Sequence, residues 1–343
     1  MPTSSAASAH RPALSVPPHR RVVAVIVLIP ALVALALWAF AWPAARTAPR
    51  DLPLGVAGPA AATAPVEQRL EGREGAFDLH RYADESAARE AVEDREVYGA
   101  VVVTEQGPKL LTASAASPVV AQTLQQAVAD PASAAGARVT TADVVPAAAG
   151  DPRGAAMNAS VLPLALAGIG AGTAVTLLGL RGARAATALV VSAALVGVVA
   201  AALAQSWLEA VPGNWWAVAG TFGLAALAMG AAVAGLAALI GRAGLGLGTL
   251  LIMLLGNPFS GAASAPEMLP EPAGAIGQWL PPGAGVSLLR SVSFFDGAAG
   301  TGPALTLTWW AALGLGAVLL AGAPKRRTGN AEPAPGRNPA AAG

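Results

Sequence analysis

Residues Val22–Trp42 read VVAVIVLIPALVALALWAFAW, 21 residues in a row without a charge. A helix that crosses a bilayer needs about 20 predominantly apolar residues. This stretch therefore sets the chain against a membrane before anything else is read. The same search finds Ala155–Leu180, Ala185–Ala204, Trp215–Ile240 and Pro303–Ala323. A sixth stretch, Ala243–Ala265, is uncharged but interrupted by Asn257-Pro258. Composition agrees: 55% of the 343 residues are hydrophobic and 12% charged, where a soluble domain carries about 25% charged residues. Ala39-Phe40-Ala41 resembles a signal-peptide cleavage site, but the apolar run before it is longer than the usual 7–15 residues, which favours an anchor.

Lys and Arg accumulate on the cytoplasmic side of a membrane protein. Arg20 and Arg21 precede the first stretch, Arg181 and Arg184 lie between the second and third, Arg242 lies between the fourth and fifth, and Lys325, Arg326 and Arg327 follow the sixth. All four groups share one side if both termini are cytoplasmic. Tryptophan, which concentrates at interfaces, sorts to the other side: Trp42, Trp207, Trp215, Trp216 and Trp279 fall at outer ends, with Trp38, Trp309 and Trp310 one to two turns deeper. The expectation is an α-helical polytopic protein of the cell membrane with about six transmembrane helices.

Residues 44–154 interrupt the hydrophobic pattern. They hold 10 Lys/Arg and 15 Asp/Glu, a net charge of −5 that leaves +6 on the rest of the chain. Leu52–Ala57, Ala76–Tyr82, Tyr98–Val103, Lys109–Ala113 and Arg138–Val145 read as strands. Pro65–Leu70, Glu85–Glu96 with Asp84 as its cap, and Val119–Ala129 capped by Ser117 read as helices. Strands alternating with helices over about 100 residues predict an exported α/β domain with its own core. The organisation expected is a disordered cytoplasmic N-terminus (1–21), helix 1 (22–42), the exported domain (44–154), a five-helix transmembrane domain (155–323) with an outer loop at 257–302, and a disordered cytoplasmic tail (324–343).

Chemistry is scarce. No cysteine is present, which excludes disulfide scaffolds, thiol catalysis and Cys-ligated metals. The only lysines, Lys109 and Lys325, do not follow a phosphate-binding glycine loop. His80, beside Asp78 and Arg81, reads as a surface strand residue rather than half of a catalytic dyad. The acidic run from Asp84 to Glu96, interspersed with Arg89 and Arg95, reads as a solvated helix face. The candidate spans contain no charge, which argues against a proton or ion relay; their hydroxyls, such as Thr176, Ser192 and Thr221, are expected to bond their own helices. Gly168–Gly172 and Gly244–Gly248 have the spacing that lets helices approach closely. No catalytic, cofactor-binding or metal site is expected, and no enzyme.

The outer loop carries the most specific pattern. It runs Asn257-Pro258-Phe259-Ser260-Gly261, then Pro266-Glu267-Met268-Leu269-Pro270, then Leu280-Pro281-Pro282-Gly283. Pro258 should break the fifth helix, and Ala273–Leu280 should lie along the interface, anchored by Trp279. Together with Arg95-Glu96-Val97-Tyr98-Gly99-Ala100 and Leu111-Thr112-Ala113-Ser114-Ala115, these segments over about residues 20–325 resemble the membrane subunit of type-2 ABC exporters. They are most similar to the phage infection protein (YhgE/Pip-like) branch of actinobacterial membrane proteins. The resemblance implies a permease that moves amphipathic or lipid-like molecules outward with a separate ATP-binding subunit, as a homodimer or heterodimer in the lipid bilayer and with no nucleic-acid partner. The chain departs from that pattern at its inner loops, Arg181–Arg184 and Gly241-Arg242, which are too short for a coupling helix. The competing expectation is a non-transporting membrane protein whose exported domain binds a cell-envelope partner.

Overall fold

The computed structural model describes residues 18–129, 136 and 139–323. The expected disordered tails, apart from residues 18–21, lie outside the described residues, as do the Lys325–Arg327 group and Arg138. The fold is mostly helical, with one small mixed sheet.

Helix α1 (Pro18–Ala45) contains the opening apolar run, and a single short link leads from it into a sheet unit. The unit comprises β1 (Leu52–Ala57), α2 (Ala60–Glu71), β2 (Phe77–Tyr82), α3 (Glu85–Glu93), β3 (Gly99–Thr104), β4 (Gly107–Thr112), α4 (Pro118–Leu124, continued in wider turns to Ala129) and β5 (Thr140–Asp143). Two helix starts follow the expected chemistry. The Asp84 carboxylate accepts from the Ala87 N–H at 2.9 Å, and the Ser117 hydroxyl accepts from Val120 at 3.2 Å. The alanine run Ala60–Ala62 begins α2 ahead of Pro65, where the sequence alone suggests a start.

Strand order is β2-β1-β3-β4-β5, antiparallel only between β3 and β4. Period-two alternation sends Leu52, Leu54, Val101 and Leu110 beneath α2 and α4, and Ala57, Ala100, Val102 and Leu111 beneath α3. The β1–α2–β2 and β2–α3–β3 crossovers run in opposite directions across the sheet, so connections of one hand place α2 and α3 on opposite faces.

The remaining helices form a bundle: α5 (Ala155–Leu177), α6 (Gly182–Ala201, continued in wider turns to Trp207), α7 (Trp215–Ile240), α8 (Arg242–Leu250, continued to Gly256), α9 (Ala273–Trp279), α10 (Pro281–Phe294) and α11 (Thr301–Ala321). Among the described residues, five helices are long and apolar enough to cross a membrane: α1, α5, α6 with its extension, α7 and α11. Helix α7 is the axis, with 67% of its apolar stretch buried, against 6% for α1. Close approach to it depends on glycine. A Cβ on Gly168 would sit 2.9 Å from the Ala226 carbonyl, and one on Gly172 would strike the carbonyl of Gly230.

The sixth apolar stretch differs from the expected Ala243–Ala265. Its helix runs only over Arg242–Gly256, about 22 Å at 1.5 Å per residue, short of the roughly 30 Å hydrocarbon core. Beyond Asn257-Pro258 the chain turns, passes through a single 3-10 turn at Pro266–Met268 and enters α9 and α10. Residues 257–302 are therefore not a plain loop. Pro281 and Pro282 occupy the first turn of α10, where the missing N–H groups have no helical partner to lose, so Pro-Pro-Gly starts a helix here.

This segment also completes the sheet unit. Ala265 and Met268 lie in the core formed by Leu52, Leu54, Val101 and Leu110, while Phe295 lies in the core on the opposite face. Backbone bonds from Ala48 to Met268 (3.0 Å) and from Arg50 to Glu267 (2.9 Å) fasten the link after α1 to the same turn.

Candidate functional site at the junction of sheet and helices

Where the sheet unit meets α9, α10 and α11, a cleft of about 680 Å³ opens. Its polar end is built from residues far apart in sequence.

Helix α3 ends in a left-handed turn at Arg95 (φ 61°). The Glu96 N–H reaches the Ala91 carbonyl at 2.9 Å and the Arg95 N–H reaches Val92 at 3.2 Å, the paired bonds of a Schellman cap. That position favours glycine, because a Cβ in the left-handed region costs roughly 1–2 kcal/mol. Arg95 is instead sent into the cleft. Its Nη1 donates to the Ser287 carbonyl at 3.1 Å, and its guanidinium lies 5.2 Å from the centre of the Phe295 ring. The expectation of a solvated helix-face arginine is thus overturned: the helix stops before it, and the junction covers it.

Tyr98 immediately precedes β3 and donates its hydroxyl to Glu267 Oε2 at 2.7 Å. Burial, and then the neighbouring Glu267 carboxylate, push the Tyr98 phenol well above its ordinary range, so it remains a neutral donor. Arg290 on α10 is 3% exposed. It donates Nη2 to the Ala262 carbonyl at 2.7 Å and Nη1 to Gly261 at 3.4 Å, and its Nε has no partner among the described residues. Burial, the main cause, lowers it to about 10, which leaves it charged at neutral pH. Burial likewise lowers Arg95. Neither arginine forms an ion pair among the described residues.

Gln278 ties the parts together. Its amide donates to the Ser260 carbonyl at 3.2 Å and accepts from the Ser287 hydroxyl at 2.6 Å. The other wall is apolar and aromatic. Trp310 donates its indole N–H to the Trp279 carbonyl at 2.8 Å, and Leu305 and Trp309 stand beside it, 55% and 64% exposed. A second groove of about 570 Å³ between α5 and α6 is apolar apart from Ser160, so it lacks groups that could orient a polar ligand.

The other residues weighed from the sequence do not converge on this cleft. His80 is exposed, and its side-chain partner is Asp78 at 3.1 Å. Glu85 binds Lys109 at 2.6 Å on the sheet surface. Among the described residues, no three acidic or histidine side chains converge as a metal site. Thr176, Ser192 and Thr221 donate to carbonyls of their own helices. Neither Arg290 nor Glu267 stands out in the sequence as a site residue. The missed signal was a lone cation in the otherwise uncharged stretch 281–294, visible once that stretch is taken as a helix.

Protein-family models, curated proteins and solved structures were compared with the chain, and none matches it.

Proposed function

We propose that the chain is the permease-like membrane subunit of an ABC-type export system, moving amphipathic or lipid-like molecules outward with a separate ATP-binding subunit. In this reading the apolar helices cross the cell membrane, both termini are cytoplasmic, and the sheet unit stands outside. The cleft carries the proposal. Its polar end lies against the sheet unit and its aromatic wall lies on α11, at the end of the bundle where the tryptophans gather. An amphiphile held at the outer leaflet would match both ends. The break after Gly256 supports it too, since non-helical backbone at membrane depth must be covered by protein, and Phe259, Ser260 and Gly261 are buried. Apart from Arg184 at the start of α6, the five long apolar stretches carry no charge, which fits ATP hydrolysed by another chain as the energy source for uphill export.

One observation favours a second reading, a non-transporting protein whose outer unit binds an envelope partner. At the basic end of the bundle, α5 and α6 are joined by Leu178–Arg181, and α7 and α8 by Gly241 alone. Neither link offers an ATPase a helix. Reciprocal co-purification with an ATP-binding subunit encoded beside this chain separates the readings, and charge reversal at Arg181 and Arg184 should weaken that association. No co-purification, together with unchanged export of fluorescent lipids on deletion, would discard the permease.

A further inference from the structure

The polar end of the cleft carries more donors than acceptors. Arginine presents five N–H groups in a planar fork. One donor nitrogen of Arg95 is used, on the Ser287 carbonyl. Arg290 uses two nitrogens on backbone carbonyls and leaves its Nε unpaired among the described residues. The carboxylate nearest both guanidiniums, Glu267, already accepts from Tyr98. Glu96, at the rim, is exposed and accepts from Tyr82 at 3.3 Å. Arg290, buried, and Arg95, half-buried, share the single carboxylate of Glu267 and form no ion pair among the described residues, so positive charge and unused donors remain, and the two-oxygen edge of a phosphate or carboxylate is the group their forks fit.

The opposite wall cannot hold a polar solute by the same means. Leu305 and Trp309 expose apolar surface beside Trp310, whose indole is fixed on the Trp279 carbonyl. At about 680 Å³ the cleft matches a headgroup with its first methylenes. A longer chain would have to leave it along α11.

We propose that the cleft binds the anionic headgroup of a bilayer amphiphile, with Arg95 and Arg290 on its phosphate or carboxylate and Leu305 and Trp309 on the start of its hydrocarbon chain. The inference rests on the membrane placement of the helices proposed above and is independent of whether transport follows.

The test is equilibrium binding to the purified full chain in a non-ionic detergent, read as bound adducts by native mass spectrometry. The probes are phosphatidylglycerol, phosphatidylcholine of the same chain length, and glycerol 3-phosphate. Phosphatidylglycerol should half-saturate the protein at a concentration at least about tenfold below phosphatidylcholine. Arg95→Gln should remove about tenfold or more of that preference, in line with loss of a charged hydrogen bond. Arg290→Lys, which keeps a charge but not the fork, should reduce it less, and Arg73→Gln, on the exposed surface of the sheet unit, should leave it intact. If Arg95→Gln does not fold, Trp309→Ala, on an exposed helix face, supplies the second arm: it should weaken phosphatidylglycerol severalfold without affecting glycerol 3-phosphate. Equal binding of the two lipids, or a preference that survives both arginine variants, overturns the proposal. Glycerol 3-phosphate binding as tightly as phosphatidylglycerol overturns the amphiphile in favour of a soluble anion. The permease reading fails separately, on co-purification.

Discussion

Phe295→Ala tests whether the helix–sheet junction completes the core of the sheet unit. Phe295 is 5% exposed and packs among Val92, Ala100, Val102 and Leu111, although it belongs to the segment between α10 and α11. A phenylalanine buries roughly 150–250 Å², worth about 4–6 kcal/mol at about 25 cal/mol per Å². Measured Phe→Ala losses are about 3–5 kcal/mol. The site lies at the end of a helix, where the chain can relax, so the expected loss is about 3 kcal/mol, with about 0.5–1 kcal/mol more for the Arg95 guanidinium over the ring. For a unit of about 100 residues, 1 kcal/mol moves the melting temperature by about 4–8 °C, and the variant should therefore melt at least about 12 °C lower. The assay is trypsin digestion of the purified full chain at stepped temperatures, following by mass spectrometry the cleavages between Arg50 and Arg153. Leu305→Ala, at an exposed site, should move the same transition by less than about 2 °C. A shift below about 3 °C for Phe295→Ala, with Leu111→Ala still strongly destabilising, would refute the idea that the junction belongs to the core.

Gly172→Leu should lower the thermal stability of the bundle in detergent by about 1–3 kcal/mol or prevent its assembly, because the new side chain meets backbone of α7; Gly170→Leu, with open space at its Cβ, should be neutral, and equal effects would refute the packing argument. The Lys109 hydrogen bond holds Glu85 below its ordinary value of 4.5, and the Arg81 hydrogen bond does the same for Glu67, so both contributions are present above about pH 4.5 and fade as pH falls through the lower folded values. On acidification the wild-type sheet unit should therefore lose more thermal stability than Glu67→Gln/Glu85→Gln, and parallel losses would count against those pairs. Reporter fusions at Gly150 and Gly300 should report the outside and one at Gly179 the cytoplasm; a cytoplasmic signal at Gly150 would overturn the proposed topology.

Short-range physics was legible from the sequence. Uninterrupted apolar runs imply long helices, and five of them form. Alternation at Leu52–Ala57, a carboxylate before Glu85 and a hydroxyl before Pro118 are local rules, acting within a few residues of the groups they satisfy. For that reason the order of strands and helices in the sheet unit follows the sequence closely. Errors cluster where a local signal has two uses. Pro281-Pro282-Gly283 signals a turn or a first helical turn with equal force, and no glycine marks the left-handed end of α3 at Arg95.

The long apolar helices, the strand and helix pattern of the sheet unit and the missing cysteine chemistry were therefore decided by the sequence alone, because each depends on composition or on neighbours within one turn. The tertiary structure decided the rest. It put Met268 and Phe295 into the two cores of a sheet whose strands end more than a hundred residues earlier. It also brought Arg95 to Ser287 across 192 residues and Tyr98 to Glu267 across 169. Arg290 looks like an ordinary loop cation until α10 forms and the sheet unit closes over it. The cost of burying a charge, and the value of an anion beside it, exist only once the surrounding chain has excluded water.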